Sequence, residues 1–305
     1  MTRKRALQTL LAALAVALGA GCSLVPEHVP EGELPRFVQP AKPPKVVLVL
    51  GSGGPRGFAH IGVLKVLDAA GIRPDYVVGS SIGALVGAFH AGGFSGLDLE
   101  AMALDTSPVV FLDVSAMWNA GKSKGIALQS FVQSKLEGRP MQGLGTGAAA
   151  VATRMRDGAT VTFNQGHAGL AVRASSAIDD LFLPVSFGGE TYVDGDESSP
   201  VPVRAARNLG AVVVIAVDVS AYVENTPPSV PEEWRARDRK RAAMIAAESG
   251  GADVMIHPDI GYYAGGSVEY RKKLIAIAEQ ATREALPAIQ AAIARAVQPA
   301  GMTSR

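Results

Sequence analysis

Two stretches of this sequence decide its fold: Lys45-Val-Val-Leu-Val-Leu-Gly-Ser-Gly-Gly-Pro-Arg-Gly57 and Asp75-Tyr-Val-Val-Gly-Ser-Ser-Ile-Gly83. Each begins with a short, continuous apolar run rich in valine, which is typical of a strand buried on both faces of a parallel sheet. Each then passes through glycines into a helical pattern, over residues 58–70 in the first case and 82–91 in the second. This repeated order of strand, turn and helix predicts an α/β domain, because parallel strands require a crossover element between them.

The remaining apolar patterns extend this domain over residues 45–300. They predict strands at 148–153, 160–164, 211–217 and 253–256, and helices at 125–137, 232–248 and 271–297. The most hydrophobic strand, 211–217, is expected at the centre of the sheet. Residues 92–124 are less regular, and we interpret them as a lid or as a pair of covering helices. The predicted fold class is a single three-layer α/β domain with a mostly parallel central sheet and C-terminal helices within 232–297.

The composition is that of an ordinary globular protein. The 305 residues include 29 Lys+Arg, 28 Asp+Glu and one Cys, with 48% hydrophobic and 19% charged residues. One cysteine cannot form an internal disulfide framework, and a balanced charge lacks the basic footprint of a nucleic-acid-binding protein. We therefore expect no nucleic-acid partner.

Residues 1–21 have the pattern of a secretory signal. The basic residues 3–5 precede an apolar run, and small residues lead into Cys22. This arrangement resembles a bacterial lipobox, which implies lipidation of Cys22 and attachment to a membrane surface. An ordinary cleaved signal and an uncleaved anchor are the alternatives. The serine after Cys22 favours an outer-membrane location in the bacterial cell envelope, facing the periplasm.

Residues 22–44 are rich in proline, with six prolines between Ser23 and Pro44. Such a segment is extended and semi-rigid, so we interpret it as a tether between Cys22 and the domain. The alternative is a segment that packs along the domain.

The strongest chemical signal is a serine at a sharp turn. The segment from Gly79 to Gly83 fits G-x-S-x-G, in which a strand turns abruptly into a helix and exposes the hydroxyl of the middle serine. The helix dipole favours negative charge that develops there. Because an apolar run precedes the motif and a small-residue helix follows it, we interpret Ser81 as a nucleophile, with a helix N-cap as the alternative.

The glycine-rich segment 51–57 is interpreted as an anion-binding loop. Its glycines let backbone N–H groups converge in front of a helix N-terminus. A dinucleotide site is disfavoured because the spacing does not match G-x-G-x-x-G. The interpretation we favour is an oxyanion hole, with N–H donors from Gly53, Gly54 and Arg56.

Together these motifs resemble the bacterial branch of the patatin-like phospholipase family. The segment from Gly53 to Leu64 is similar to its glycine-rich loop and following helix, and Tyr192-Val-Asp-Gly195 is similar to its D-G motif. The resemblance implies a lipid acyl hydrolase that uses a Ser-Asp dyad, with Ser81 as nucleophile and Asp194 as base. Its substrates would be phospholipids or other acyl esters, and it would need no metal or cofactor. The matched motif positions that support this site are Ser52, Gly57, Gly79, Gly83 and Gly195.

Three positions depart from the family pattern. Ser52 stands where the family usually has glycine, and Pro55 has no N–H to donate in the loop. Asp196 places a second carboxylate close behind Asp194. If Asp196 faces inward, repulsion between like charges raises the proton affinity of Asp194; the alternative is that it faces solvent.

Two other functions stay open from the sequence. An α/β-hydrolase triad fits the chain order of Ser81, either Asp194 or Asp218, and His257. A catalytically inactive lipoprotein that binds lipid or a partner protein through the same fold is the second alternative. Substitution of His257 distinguishes triad from dyad, and labelling of the active-site serine distinguishes an enzyme from a binding protein.

Overall fold

The computed structural model describes residues 29–113 and 121–297. The predicted signal, Cys22 and residues 22–28 of the proline-rich segment lie outside these ranges. The strands within them are β1 (Val46–Leu50), β2 (Tyr76–Ser80), β3 (Gly147–Arg154), β4 (Ala159–Phe163), β5 (Val185–Phe187), β6 (Glu190–Val193), β7 (Val213–Val217) and β8 (Val254–Ile256). The helices are α1 (Phe58–Ala69), α2 (Ile82–Ala91), α3 (Gly96–Asp105), α4 (Ile126–Lys135), α5 (Ala168–Ser175), α6 (Val203–Asn208), α7 (Glu232–Ser249) and α8 (Val268–Val297).

The strands form one sheet in the order β5-β6-β3-β2-β1-β7-β8, and β4 also pairs with β3. The five strands from β3 to β8 in this order run parallel, while β4, β5 and β6 add antiparallel pairs. A mostly parallel central sheet is therefore confirmed. The β5–β6 hairpin was not predicted, because its strands are only three and four residues long.

Alternate residues of the central strands point to opposite faces of the sheet, as a period of two requires. Leu48 and Leu50 belong to a core shared with α1, α2, α4, α5 and α8, whereas Val47 and Val49 belong to a second core shared with α6 and α7. Helices thus cover both faces, and the three-layer prediction is confirmed.

The expectation that residues 211–217 form the central strand is wrong. β7 is fully buried, but it lies between β1 and the edge strand β8. Its burial comes from the helices on both faces, so its hydrophobicity carries no information on its place in the strand order.

The described part of the proline-rich segment, residues 29–44, packs along the domain, as the alternative interpretation had it. Arg36 forms a bridge with Gln165, and the Asn164 side chain accepts from the Val38 N–H at 2.9 Å and donates to its carbonyl at 2.7 Å. Val29 is buried. Within this segment Glu31–Glu33 form a 3-10 helix, and the chain at Arg36 and Val38 is bound by hydrogen bonds with residues that follow β4.

Residues 92–124 are described in part. They contain α3 and a 3-10 helix at Pro108–Phe111, while residues 114–120 lie outside the described ranges. Phe111 and Leu112 line the cleft described below. Whether this segment moves as a lid stays a prediction.

None of the helices in the described ranges is both long enough and apolar enough to cross a membrane.

Candidate active site

The parallel register brings the predicted site residues to one edge of the sheet. Leu50, the last residue of β1, is in register with Gly79 of β2 and with Val217 of β7. The segments that follow these strands therefore meet at the carboxyl edge, where open α/β sheets place their ligands. Glycine-rich loop 51–57 follows β1 there, and Ser81 follows β2.

Ser81 occupies a strained turn between β2 and α2. Its φ of 53° is positive, a conformation that residues with a side chain rarely adopt and that is found in the nucleophile elbow. The turn is possible because the backbone of Gly79 approaches that of Gly83, and a side chain at Gly83 would overlap the carbonyl oxygen of Leu50. The Ser81 N–H donates to Ser175 Oγ at 2.9 Å, which fixes the turn from α5.

Asp194 lies within hydrogen-bond distance of this serine. It follows β6, and the Ser81 hydroxyl donates to Asp194 Oδ2 at 2.7 Å. Asp194 Oδ1 accepts from the Asp196 N–H at 2.8 Å, and the Asp194 carbonyl accepts from Thr153 Oγ1 at 2.8 Å. A side chain at Gly195 would overlap the Val151 carbonyl, so this glycine lets the segment approach β3. The aspartate is thus held with one carboxylate oxygen in contact with the Ser81 hydroxyl.

The environment of Asp194 raises its proton affinity toward neutral pH. Its side chain is buried, with 3% of the residue exposed. Burial raises the pKa of Asp194 from 3.8 to about 7, and the negative charge of Asp196 adds to the increase. The Asp196 N–H, the Ser81 hydroxyl and the charge of Arg241 act in the opposite direction. A base with a pKa near the working pH combines the deprotonated state with a useful proton affinity.

The loop after β1 supplies two free donors. Within the described ranges, no acceptor is found for the N–H groups of Gly53 and Gly54, and Gly54 has a φ of 55°. Both residues line the same cleft as Ser81. These N–H groups are therefore not used by other groups of the described residues, and their role as oxyanion-hole donors stays a prediction.

The prediction that Arg56 contributes an N–H donor is wrong. Its backbone N–H donates to the Gly53 carbonyl at 3.2 Å, because residues Gly54–Gly57 form a 3-10 turn that uses this group internally. Its guanidinium donates to the Tyr262 carbonyl instead. A side chain at Gly57 would overlap Ile82, which explains the glycine beside the serine turn.

A buried histidine supports the loop. His60 Nε2 lies 2.7 Å from the Gly51 carbonyl, and burial lowers the pKa of His60 to about 4. The ring is therefore neutral at pH 7 and donates this hydrogen bond. Its role is structural.

Ser52 and Asp196 belong to a polar cluster beside the dyad. The Ser52 hydroxyl donates to Asp196 Oδ1, and Arg241 Nε lies 3.2 Å from the same oxygen. Arg241 Nη2 also donates to the Ser52 carbonyl at 2.6 Å and to its hydroxyl oxygen at 2.9 Å. Asp196 faces inward, which is the first of the two alternatives considered for it.

The alternative triad with His257 is not assembled. His257 Nε2 lies 3.0 Å from the Ser220 carbonyl and 3.6 Å from Asp218 Oδ2, and its ring stacks on Tyr222. The carboxylate that contacts Ser81 is that of Asp194, and His257 is not among the cleft residues. The order of residues along the chain was compatible with a triad, but packing against Tyr222 directs the histidine elsewhere.

The structure adds site residues that the sequence did not single out. Thr153, Ser175 and Arg241 hold the aspartate, the serine turn and the loop, respectively. Ser175 lies in Arg173-Ala-Ser-Ser-Ala-Ile178, a segment that also resembles the family pattern, so a signal existed for it. Arg241 had none, because its partner Ser52 is 189 residues away in the chain.

Ser81 and Asp194 open onto a cleft of about 400 Å³. Apolar residues form much of its wall: Ile82, Leu85, Phe111, Leu112, Leu128, Ile178, Leu181 and Phe182. A smaller apolar cavity of about 80 Å³ lies next to it and shares Ile82, Leu85 and Phe111 as walls. The site thus combines a polar reacting centre with apolar surroundings.

Known proteins resemble this chain in sequence and in fold. The family model described as Patatin-like phospholipase matches residues 48–207, just over half of the chain. An uncharacterized NTE family protein of Mycobacterium tuberculosis is 31% identical over 202 residues, which cover 65% of this chain and 56% of the relative. Lysophospholipase NTE1 of Coccidioides immitis is 32% identical over 212 residues, covering 65% of this chain and 13% of the relative.

A solved structure shares the fold. VipD from Legionella pneumophila superposes with a TM-score of 0.50 at 12% sequence identity, over 87% of this chain and 72% of that one. This likeness concerns the fold, whereas the family model also spans the loop, the serine turn and the D-G motif. The chain belongs to the patatin-like phospholipase family.

Proposed function

We propose that this protein is a serine hydrolase that cleaves acyl esters of phospholipids or lysophospholipids with a Ser-Asp dyad. The observation that carries the proposal is the 2.7 Å hydrogen bond from Ser81 to the buried Asp194 carboxylate. Two free N–H groups line the same cleft and can receive an oxyanion. This is the full set of groups that acyl transfer through a serine requires.

The reaction follows from these contacts. Ser81 Oγ attacks the ester carbonyl carbon while its proton passes to Asp194 Oδ2, and the N–H groups of Gly53 and Gly54 stabilise the negative carbonyl oxygen. When the intermediate collapses, the ester C–O bond breaks and the leaving alkoxide takes the proton from Asp194. A water molecule then gives a proton to Asp194 and attacks the acyl-serine, and the second collapse releases the fatty acid and returns the proton to Ser81.

The substrate class is supported by the surroundings of the dyad. Apolar side chains around the cleft are suited to an acyl chain, and the adjoining small cavity extends that apolar surface. A relative that matches 65% of this chain bears the name lysophospholipase. Because the chain spans only 56% of the mycobacterial relative and 13% of the fungal one, its activity is proposed for this chain and not transferred from them.

A location follows from the N-terminal sequence. We propose that Cys22 is lipidated and anchors the protein to the bacterial cell envelope, at the outer membrane facing the periplasm. The support is the basic, apolar and small-residue pattern of residues 1–21 before the single cysteine. Metabolic labelling with a fatty-acid analogue, compared between the wild type and Cys22→Ala, tests this point: loss of label in the variant is expected.

Hydrolysis assays test the proposed activity. We expect turnover of a short-chain p-nitrophenyl ester and of a lysophospholipid, with losses of at least about a thousandfold in kcat/KM for Ser81→Ala and Asp194→Asn. Because Asp194 must be deprotonated to act as base, kcat/KM should rise with pH through an apparent pKa of about 7. Absence of turnover on every ester tried would favour the alternative of a binding protein.

A further inference from the structure

Arg241 reaches the candidate active site from a helix outside the residues that the family model matches. It lies on α7, and the match ends at residue 207. Its side chain is 14% exposed and contacts two segments of the site at once. On one side it binds the carbonyl and the hydroxyl of Ser52, and on the other its Nε lies 3.2 Å from the Asp196 carboxylate.

These contacts connect both halves of the catalytic machinery. Ser52 immediately precedes Gly53 and Gly54, which line the cleft and whose N–H groups have no acceptor within the described ranges. The Asp196 backbone N–H holds Asp194 Oδ1. The guanidinium of Arg241 therefore holds the glycine-rich loop 51–57, called the donor loop below, and balances the charge of the Asp196 carboxylate next to the proposed base.

The charges around Asp194 come from several elements. Asp196 follows β6, Arg241 projects from α7, and the hydroxyl of Ser81 belongs to the turn before α2. Arg56 in the donor loop lies close to Arg241: burial lowers the pKa of Arg56, and the positive charge of Arg241 adds to the effect. Asp196 is thus a like charge that acts on the proposed base, and Arg241 is its cationic partner.

Three other charged groups in this region have partners of their own. Arg237 lines the cleft and pairs with Asp180. Lys240 pairs with Glu197, and Asp218 lies beside His257.

We propose that Arg241 is a positioning residue that neutralises Asp196 and so keeps Asp194 available as the proton acceptor for Ser81. The inference rests on the proposed function and deepens it by assigning control of the base to a residue on α7. Without the guanidinium, the carboxylate of Asp196 stands uncompensated beside Asp194 and favours its protonated form. Without Asp196, Arg241 acts on Asp194 alone and favours the ionised form.

The opposite signs of these two effects define the test. The pH profile of kcat/KM on a short-chain p-nitrophenyl ester is measured for the wild type, Arg241→Met and Asp196→Asn. We expect the acid limb to move to higher pH by about one unit in Arg241→Met, and to lower pH by about one unit in Asp196→Asn. At pH 6 this corresponds to about a tenfold loss in the first variant and a several-fold gain in the second.

Two further variants separate charge from packing. Arg241→Lys keeps the cation, so its acid limb should stay near that of the wild type even if its maximal rate falls. Arg239 lies on the same helix, pairs with Glu232 and does not line the cleft. Arg239→Met should therefore leave the pH profile unchanged. A loss of rate in Arg241→Met at all pH values without a shift of the limb would overturn the proposal and assign Arg241 a purely structural role.

A readout independent of turnover distinguishes failure of this inference from failure of the proposed function. The Asp194 carboxyl is titrated by ¹³C NMR in aspartate-labelled protein, with Asp194→Asn used to assign the resonance. An upward shift of its titration midpoint in Arg241→Met supports the inference even if no ester is turned over. Equal midpoints in the wild type and Arg241→Met would refute it even if the protein is an active esterase.

Discussion

Replacing Asp194 with asparagine should change how the stability of the protein depends on pH. Asparagine has nearly the same shape, and it can accept from the Asp196 N–H and donate to Ser81 Oγ in place of the present contacts. What it removes is the titration of a carboxyl whose pKa burial raises from 3.8 to about 7.

The direction and the size of this pH dependence follow from the linkage between proton binding and folding. Between these two pKa values the folded state holds a proton that the unfolded state has lost, so the folded state becomes less stable as pH rises. A difference of about three units corresponds to about 4 kcal/mol in total, of which about 2.5 kcal/mol falls between pH 5 and pH 8. Relative to Asp194→Asn, the wild type should therefore lose about 2.5 kcal/mol of unfolding free energy over this range.

Urea unfolding of both proteins at pH 5 and pH 8 measures this difference, and other titrations cancel in the comparison. Asp98→Asn is a matched control. Hydrogen bonds from Ser95 lower the pKa of Asp98 below 3.8, so both its folded and unfolded forms are ionised across this range and its effect should not vary. If the difference in unfolding free energy between the wild type and Asp194→Asn is the same at pH 5 and pH 8, Asp194 does not have the raised pKa that its burial implies.

Three further predictions concern the cavity, the serine turn and the histidine. Met102→Trp should fill the small apolar cavity and lower kcat/KM for long-chain esters at least about tenfold, with little effect on short-chain esters. Leu97→Trp, on the exposed side of the same helix, should change kcat/KM for neither class of ester. Equal losses for both chain lengths in Met102→Trp would contradict this prediction. Gly83→Ala should lower the unfolding free energy by about 2 kcal/mol or more, because its side chain would overlap the Leu50 carbonyl, while Gly250→Ala meets open space and should be nearly neutral in urea unfolding. His257→Ala should retain ester hydrolysis within about twofold, and near-total loss would favour the triad.

Local sequence patterns predicted those parts of the site that lie within one continuous segment. The apolar run before Gly79 and the small-residue helix after Gly83 both depend on neighbours in the chain, and the structure has the expected turn at Ser81. The donor loop was predicted for the same reason. The exception is the Arg56 N–H, which donates to the Gly53 carbonyl within the loop and is not free for a ligand.

Features that depend on long-range packing were not predictable in this way. The position of β7 depends on which crossovers connect the strands, and its hydrophobicity reports only that helices cover it. Arg241 is one of several basic residues on a polar helix, and nothing local distinguishes it from Arg239. Only the packing of α7 against the site gives Arg241 its contact with Ser52.

The proposed reaction depends on Ser81 as the nucleophile and on Asp194 as its base. The most direct measurement is the reaction of the protein with a fluorophosphonate probe, followed by mass spectrometry of the labelled peptides in the wild type, Ser81→Ala and Asp194→Asn. We expect a single adduct on Ser81 that is absent in Ser81→Ala and forms much more slowly in Asp194→Asn. Labelling of another residue, or unchanged labelling in Asp194→Asn, would contradict it.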